Sequence, residues 1–457
     1  MLELSTFIIG GIGIITFLFG LEFILVGLII SSVLQAMAFI NLGNNPIIVY
    51  YFFALLFIVR GLLDLCLERD TILWAAALNT PLLYLSLFVF YSSFGALIFP
   101  NVFAGMLVYS PKLGIDDQFN NMTRLAFEAS NLNQVAQLLV NVLMIGIIWL
   151  KPMTPTLFIR AILIAWGIVM FFALWQWLAN MTGIYFPEAY LFTVVGWSLG
   201  TDQVIGSFAR VNGPFVEPSS LATYLCGMYG FFLIWWIKNP NWRLCLCLLL
   251  TIFAILITVS STAYLGLFMI LGAVLWALGL VPLFKSGSLD KSVGMIFLAL
   301  ILSIFLLVML LLGSEQVREL INVVLFQKSS GDSFVVRFDA DIESLHILWR
   351  TYGLGVGLGS NRPSSFLLFL LSNVGVLGFL FFTLFIISLA HSALKNTAQS
   401  DEPTLHNLAS AAVWGLCSIL LAKTIAQPDL SFSSLWIWIF LLASMANFQS
   451  HPLSTLK

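Results

Sequence analysis

A polar segment in the middle of the chain places an arginine shortly before a predicted helix start. It reads RVNGPFVEPSSLATYL, with Arg210 first, then a Gly-Pro turn, and then Glu217 and Pro218 leading into an apolar run. Proline is favoured in the first helical turn, where unpaired backbone amides also attract anions. The guanidinium of Arg210 is a planar fork that suits phosphate oxygens. The segment therefore predicts a phosphate site; the alternative is that Arg210 pairs with Glu217 or contacts lipid head groups.

A second polar segment holds most of the other side chains that can do chemistry. It reads VVRFDADIESLHILWRTYGLGVGLGSNRPSSF and contains Arg337, Arg350 and Arg362 close to predicted helix entrances. Its glycine run, 353–359, has glycine at every second position, which lets a backbone approach a ligand closely. No Gly-Lys-Ser/Thr follows, so the run is not a Walker loop. Side chains that are candidate general bases are Asp332, Asp339, Asp341, Glu343 and His346. The alternative is a solvated face whose charges have no catalytic role.

The elements that position these segments are those of a membrane protein. Hydrophobic residues make up 60% of the 457 residues and charged residues 9%, whereas a soluble domain has about 25% charged residues; the mean hydropathy is +1.03. The apolar runs do not alternate, so they predict helices rather than barrel strands. At about 20 residues per span, they predict an all-α, polytopic bundle of about 12 transmembrane helices. The first run, 5–34, is long and rich in glycine, and two short helices there would make the number thirteen.

Net charge and cysteine spacing argue against a nucleic-acid-binding protein and against a cysteine metal site. A net charge of −2 predicts no nucleic-acid partner, and the five cysteines lie in or beside apolar runs without a metal-binding spacing. They are interpreted as packing thiols. No composition shift separates a soluble unit, so residues 1–457 are predicted to form a single membrane domain.

Basic residues in the short connections predict the orientation. Lys395 lies in one such connection, and four others are flanked by basic pairs: Arg60 with Arg69, Lys151 with Arg160, Lys238 with Arg243, and Lys285 with Lys291. Helix alternation puts all five connections on one side, which the positive-inside rule makes cytoplasmic. Two larger segments then face outward: 184–220, with Arg210, and 313–362, which is expected to carry short amphipathic helices. Residues 315–350 alone contain ten charged residues, so chemistry is expected on the outer side.

At this point the sequence resembles a known family. Arg337, an aromatic-containing helix, a Gly-x-Gly-x-Gly turn and a helix containing NVGVLGFL together look like the O-antigen ligase and O-antigen (Wzy-type) polymerase family. The Arg210 segment with EPSSLATYL is similar to the stretch before a mid-chain helix in these proteins. The motif resemblance covers 205–235 and 335–382.

The resemblance implies a multi-pass glycosyltransferase of the cell inner membrane with its active site facing the periplasm or exterior. It implies an inverting reaction on an undecaprenyl-diphosphate-linked glycan, with no metal and no cofactor. A chain-length regulator and a flippase are the protein partners to expect. The family's diphosphate-binding role is carried over to Arg210 and Arg337, with Arg350 and Arg362 as further candidates.

One departure from the family concerns the base. In the ligases a His-Asn type pair lies ten to eleven residues before the first glycine of a Gly-x-x-Gly helix segment, and counting back from Gly375 gives Ser364 and Ser365 here. The missing histidine favours a polymerase over a ligase. The base stays open among four residues: His346, Asp339, Glu343 and Ser364.

The alternative functions are a ligase with a different lipid or protein acceptor, and a transporter or flippase of the lipid-linked glycan. A transporter would place ionisable groups at mid-membrane depth, where these runs have few.

Overall fold

The described part of the chain is a bundle of α-helices with three short β-hairpins. The computed structural model describes residues 4–43, 45–67, 79–110, 122–195, 204–205, 208–282, 294–295, 297–298, 301–302, 305, 332–400 and 402–447. Within them, eight helices are long and apolar enough to cross a membrane, and four shorter apolar helices accompany them. One of the eight, Ser261–Gly279, consists of an α-helix that ends at Val274 and a π-helical stretch, Leu275–Leu280, that continues it. The fold is therefore that of an all-α, multi-pass membrane protein. The apolar run at 292–313 falls largely outside the described residues, so the number twelve stays a prediction.

The elements follow one another along the chain with these bounds. They are α1 (Leu4–Phe19), α2 (Leu21–Ser31), β1 (Ala38–Leu42), β2 (Asn45–Ile48), α3 (Val49–Leu67), α4 (Thr80–Val102), β3 (Leu107–Tyr109), β4 (Met122–Arg124), α5 (Ala129–Leu150), α6 (Pro155–Thr182), α7 (Glu188–Leu191), β5 (Val204–Ile205), β6 (Phe208–Ala209), α8 (Pro218–Lys238), α9 (Trp242–Ile257), α10 (Ser261–Val274), α11 (Asp332–Arg350), α12 (Phe366–Ala398), α13 (Pro403–Lys423) and α14 (Ser433–Ala446). Each hairpin pairs consecutive strands in antiparallel fashion. The first apolar run divides at Gly20 into two helices, the alternative that its glycines suggested.

Helix α8 forms the centre of the bundle. Nearly all of its side chains are buried, and it packs closely against α13 because both helices have small residues at the contact. A Cβ atom on Gly230 would overlap Ser418, and one on Gly227 would lie 3.3 Å from the Cβ atom of Ile419. Small residues let helix backbones approach closely in membranes, where dispersion contacts replace the hydrophobic effect. The segment before α8 is therefore attached to a deeply buried and closely packed helix.

The basic connections meet at one end of the bundle. Asp64 binds Arg60 at 2.8 Å and Lys151 at 3.0 Å, which joins the ends of α3 and α5. Lys238, at the end of α8, donates to Ser410 near the start of α13 at 2.9 Å. Two further hydrogen bonds join the same ends of α5, α12 and α14: Asn396 to Ala446 and Asn447 to Trp149. The N-termini of α8 and α12 lie at the opposite end. Arg69, Lys285 and Lys291 lie outside the described residues.

The structure describes part of each predicted outer segment. Segment 184–220 includes α7 and the hairpin β5–β6. In segment 313–362, one helix of 19 residues, α11, replaces the short amphipathic helices expected for its second half. The amphipathic stretch at 319–326 lies outside the described residues.

Candidate functional site

The segment that carries Arg210 is anchored by a buried glutamine of α6. Gln176 is 2% exposed, and its Oε1 accepts hydrogen bonds from the backbone amides of Asn212 (3.0 Å) and Gly213 (2.8 Å). Its Nε2 donates to Oδ1 of Asn212 at 2.7 Å. The side chain of Asn212 then donates to the carbonyl of Phe215 at 2.7 Å. These bonds fix the backbone between Arg210 and α8.

The charge of Arg210 interacts with that of Arg337, an arginine from a distant part of the chain, and Arg210 is the more buried of the two. Its pKa is lowered from 12.5 to about 10, chiefly because burial disfavours the charged guanidinium. The nearby carboxylate of Glu217 opposes this shift, and the guanidinium of Arg337 adds to it. The structure thus brings together the two arginines to which the resemblance gave a diphosphate-binding role. Two cations that disfavour each other's charge are stabilised when an anion binds between them.

The candidates on α11 point in two different directions. Consecutive helical residues are rotated by about 100°, and a stripe of Ala340, Ser344 and Ile347, each at most 1% exposed, faces the protein. Arg337 and Asp341 lie along one flank of this stripe. Four other candidates lie along the opposite flank: Asp339, Glu343, His346 and Arg350. The residues that the sequence offered as one cluster therefore form two groups, separated by the buried stripe.

Glu343 is the centre of the group on the flank of α11 opposite Arg337. This carboxylate binds Arg350 at 3.1 Å and contacts Nδ1 of His346 at 3.2 Å. The side chains of His346 and Arg350 are 57% and 54% exposed, so these ion pairs contribute little to stability. The pKa of Tyr109, on β3, is raised by burial and by the carboxylates of Asp339 and Glu343. The hairpin β3–β4 therefore lies against this flank, away from Arg210.

Ser364 belongs to the flank that carries Arg337. Its hydroxyl donates to Oδ2 of Asp341 at 2.5 Å, and its amide donates to Oδ1 at 2.8 Å. The amide of Ser365 reaches the same oxygen at 3.3 Å. Asp341 thus satisfies backbone amides that precede α12 and also holds the Ser364 hydroxyl. The backbone amide of Arg362, close by, donates to the carbonyl of Tyr109 at 3.0 Å, which ties this turn to β3.

The glycine run approaches the protein's own backbone. All four glycines of 353–359 have φ between +80° and +97°. A Cβ atom on Gly355 would lie 2.6 Å from the carbonyl oxygen of Asn373, and one on Gly359 would lie 2.7 Å from that of Ser130. The amide of Gly357 donates to the carbonyl of Asn373 at 2.9 Å. These glycines pack closely against α12, α5 and α4, and the approach of a ligand to this run stays a prediction.

Glu217 is a site residue that the sequence analysis treated only as a partner for Arg210. It is the N-cap residue of α8, is partly exposed, and accepts a hydrogen bond from the Ser219 hydroxyl at 2.9 Å. Gln427 donates to the hydroxyl of Ser220 at 2.6 Å and so joins the turn after α13 to this helix start. An acidic residue before a proline, a few positions after an arginine, is the signal that could have identified it.

Lys423, the last residue of α13, is a charged residue that the sequence did not place in the site. It is fully buried, and its ammonium donates to the carbonyl of Gln427 at 2.7 Å. The rings of Phe366 and Phe432 lie 4.9 Å and 4.8 Å from the ammonium, a cation–π arrangement that compensates part of the desolvation cost. The lysine thereby holds the start of α12 near the end of α13.

Comparison with known proteins adds no family assignment. No protein-family model matches the chain, and no curated protein matches it. Within the described part of the chain, no three His, Cys, Asp or Glu side chains converge in a way that would hold a metal ion. The resemblance to the O-antigen ligases and polymerases stays a prediction.

Proposed function

We propose that this chain is a membrane glycosyltransferase that polymerises undecaprenyl-diphosphate-linked oligosaccharide repeat units at the outer face of the cytoplasmic membrane. The observation that carries the proposal is that Arg210 and Arg337, which are distant in sequence, lie near enough for their charges to interact. A diphosphate supplies the anionic oxygens that two guanidinium groups bind with charge-assisted hydrogen bonds. The basic connections lie at the other end of the helices, so the positive-inside rule puts the arginines on the outer side.

The arginine pair accounts for leaving-group departure. The donor sugar is attached through its anomeric carbon to the diphosphate, and this C–O bond breaks with its electron pair going to the diphosphate. Arg210 and Arg337 stabilise the charge that develops there, which is the largest contribution that a preorganised site makes. A hydroxyl of the acceptor repeat forms the new C–O bond from the opposite face, so the anomeric configuration inverts. The resemblance implies that this chemistry proceeds without a metal ion.

The acceptor hydroxyl must pass its proton to a base within hydrogen-bond reach. Glu217 is the carboxylate that acts most strongly on Arg210, and Ser219 holds one of its oxygens. We assign the base to Glu217. His346, Asp339 and Glu343 lie across α11 from Arg337, and the Ser364 hydroxyl donates a hydrogen bond to Asp341.

The test measures product length. Purified protein in lipid receives undecaprenyl-diphosphate-linked repeat units alone, and a ladder that grows by whole repeats is expected. Arg210→Ala and Arg337→Ala should abolish the ladder, while Arg350→Ala, on the opposite flank of α11, should retain it. Near-normal ladders from both site variants would contradict the diphosphate role. Transfer only to an added lipid or protein acceptor would identify a ligase instead, and transport without product would identify a flippase.

A further inference from the structure

An apolar groove of about 550 Å³ runs along α6 at the edge of the bundle. Helix α6 contributes Ile164, Gly167 and Phe171 to its lining, and Leu34 and Leu191 close the end nearest the outer segments. Ile164 is 51% exposed and Phe171 57% exposed. The groove is therefore open to the surface that the apolar helices present to lipid.

The outer end of the groove adjoins the segment that carries Arg210. The amide of Ala36, between the lining residues Leu34 and Met37, donates to the carbonyl of Pro214 at 3.2 Å. A Cβ atom on Gly213 would lie 3.7 Å from the backbone nitrogen of Ala173, the residue that follows the lining residue Phe172. From residue 164 to residue 172, α6 rises about 12 Å. The groove thus runs from the middle of α6 to the foot of the arginine segment.

We propose that this groove binds the first isoprene units of a prenyl diphosphate donor whose diphosphate lies on Arg210 and Arg337. The inference rests on the proposed function, and it adds the place where the lipid chain binds. A prenyl chain is attached directly to the diphosphate, so an apolar path must begin at the arginine segment itself. A phospholipid acyl chain is separated from its phosphate by glycerol and an ester, and a path that begins at the arginines suits it less well.

Gly167 provides a direct way to close the groove. A Cβ atom at this position would meet no atom within 4 Å, and residue 167 lies within regular helix. A leucine there fills the groove without a clash and has a better helix propensity than glycine. Gly167→Ala adds a methyl group and leaves most of the space. Gly272 of α10 is equally open and exposed but does not line the groove, so Gly272→Leu is a matched control.

The experiment compares two probes on the full-length protein in nanodiscs: undecaprenyl diphosphate and inorganic diphosphate. A prenyl chain that moves from the bilayer into the groove leaves one apolar environment for another, so it gains packing contacts but no free energy from the hydrophobic effect. Closing the groove should therefore reduce the affinity only modestly. Gly167→Leu should weaken binding of undecaprenyl diphosphate about tenfold, or about 1.4 kcal/mol, and leave inorganic diphosphate unchanged. Gly167→Ala and Gly272→Leu should match the wild type for both probes.

The outcomes separate the groove from the proposed function. If Gly167→Leu binds undecaprenyl diphosphate within about twofold of the wild type, or if Gly272→Leu loses as much affinity, the prenyl assignment is wrong. If Gly167→Leu loses only co-purifying phospholipid in native mass spectrometry, the groove holds membrane lipid. If the wild type binds neither probe, or if Arg210→Ala and Arg337→Ala bind both normally, the proposed function fails and the groove assignment fails with it.

Discussion

Replacing Arg210 by lysine tests whether burial and Arg337 disfavour a positive charge at this position. Burial and the neighbouring Arg337 lower the pKa of Arg210 to about 10, which still leaves the group charged at neutral pH. The same burial and the same neighbours act on a lysine ammonium in the same direction. Because the ordinary pKa of lysine lies about two units below that of arginine, Arg210→Lys should lose its charge about two pH units earlier.

The expected consequence is a pH-dependent loss of diphosphate affinity. Below this transition the variant keeps its charge and loses the bidentate fork, which weakens binding by about tenfold. Above it, affinity should fall by up to about tenfold for each further pH unit, since only the charged ammonium attracts the anion. The wild type should show no such loss between pH 6.5 and 9.

Isothermal titration with inorganic diphosphate measures this dependence. The diphosphate itself titrates in this range, so the informative quantity is the ratio of variant to wild-type affinity at each pH. Arg243→Lys, at the opposite end of the bundle, controls for general effects of the substitution and should give a constant ratio near one. A constant ratio for Arg210→Lys from pH 6.5 to 9 would refute the argument that burial and Arg337 act on this position.

Other substitutions test the base assignment and the packing of the glycine run. Glu217→Gln should lower turnover by about 10²- to 10⁴-fold while inorganic diphosphate binds at least as tightly, because a negative charge beside Arg210 is removed; unchanged turnover would exclude Glu217 as the base. His346→Ala should keep turnover within about threefold of the wild type, since the side chain lies across α11 from Arg337, and a loss of a hundredfold would reverse that assignment. Gly375→Ala should lower the free energy of unfolding by about 2–4 kcal/mol, measured by thermal denaturation, because its φ is +65° and a Cβ atom would overlap the carbonyl oxygens of Gly353 and Leu354; a wild-type melting temperature would contradict the observed kink.

Hydropathy and proline placement were sufficient to predict much of the bundle. The helix start predicted after Glu217 occurs at Pro218, because proline fits the first turn, and the helix ends at Lys238, where the apolar run also ends. The 19-residue helix α11 was harder to predict, since its apolar residues are shared between a buried stripe and an exposed one. A helical wheel of 335–350 would have separated Arg337 from His346, because nine residues at about 100° each leave them on opposite sides.

The contacts that build the site could not be predicted from the sequence. Gln176 occurs within an apolar run, and nothing nearby in the sequence indicates that it binds the backbone of Asn212 and Gly213. The glycine run shows the same limit. Alternating glycines indicate positive φ and close approach, but only the fold shows that the approaching group is the backbone of α12.

The segment from Arg210 to Ser220 is held by the neutral side-chain amides of two glutamines, which add no charge to the site. Gln176 anchors the residues that follow Arg210, and Gln427 anchors the serines that follow Glu217. A charged anchor at either position would pair with Arg210 or repel a diphosphate, whereas an amide fixes the backbone through hydrogen bonds and leaves the local field to the arginines. Lys423 is a cation close to this turn, and its burial between two phenyl rings separates it from solvent. Arg210 and Glu217 lie towards the two ends of one fixed segment, and residues 213 and 214 between them adjoin the groove, so the proposed sites for the prenyl chain, the diphosphate and the base all adjoin one short stretch of backbone.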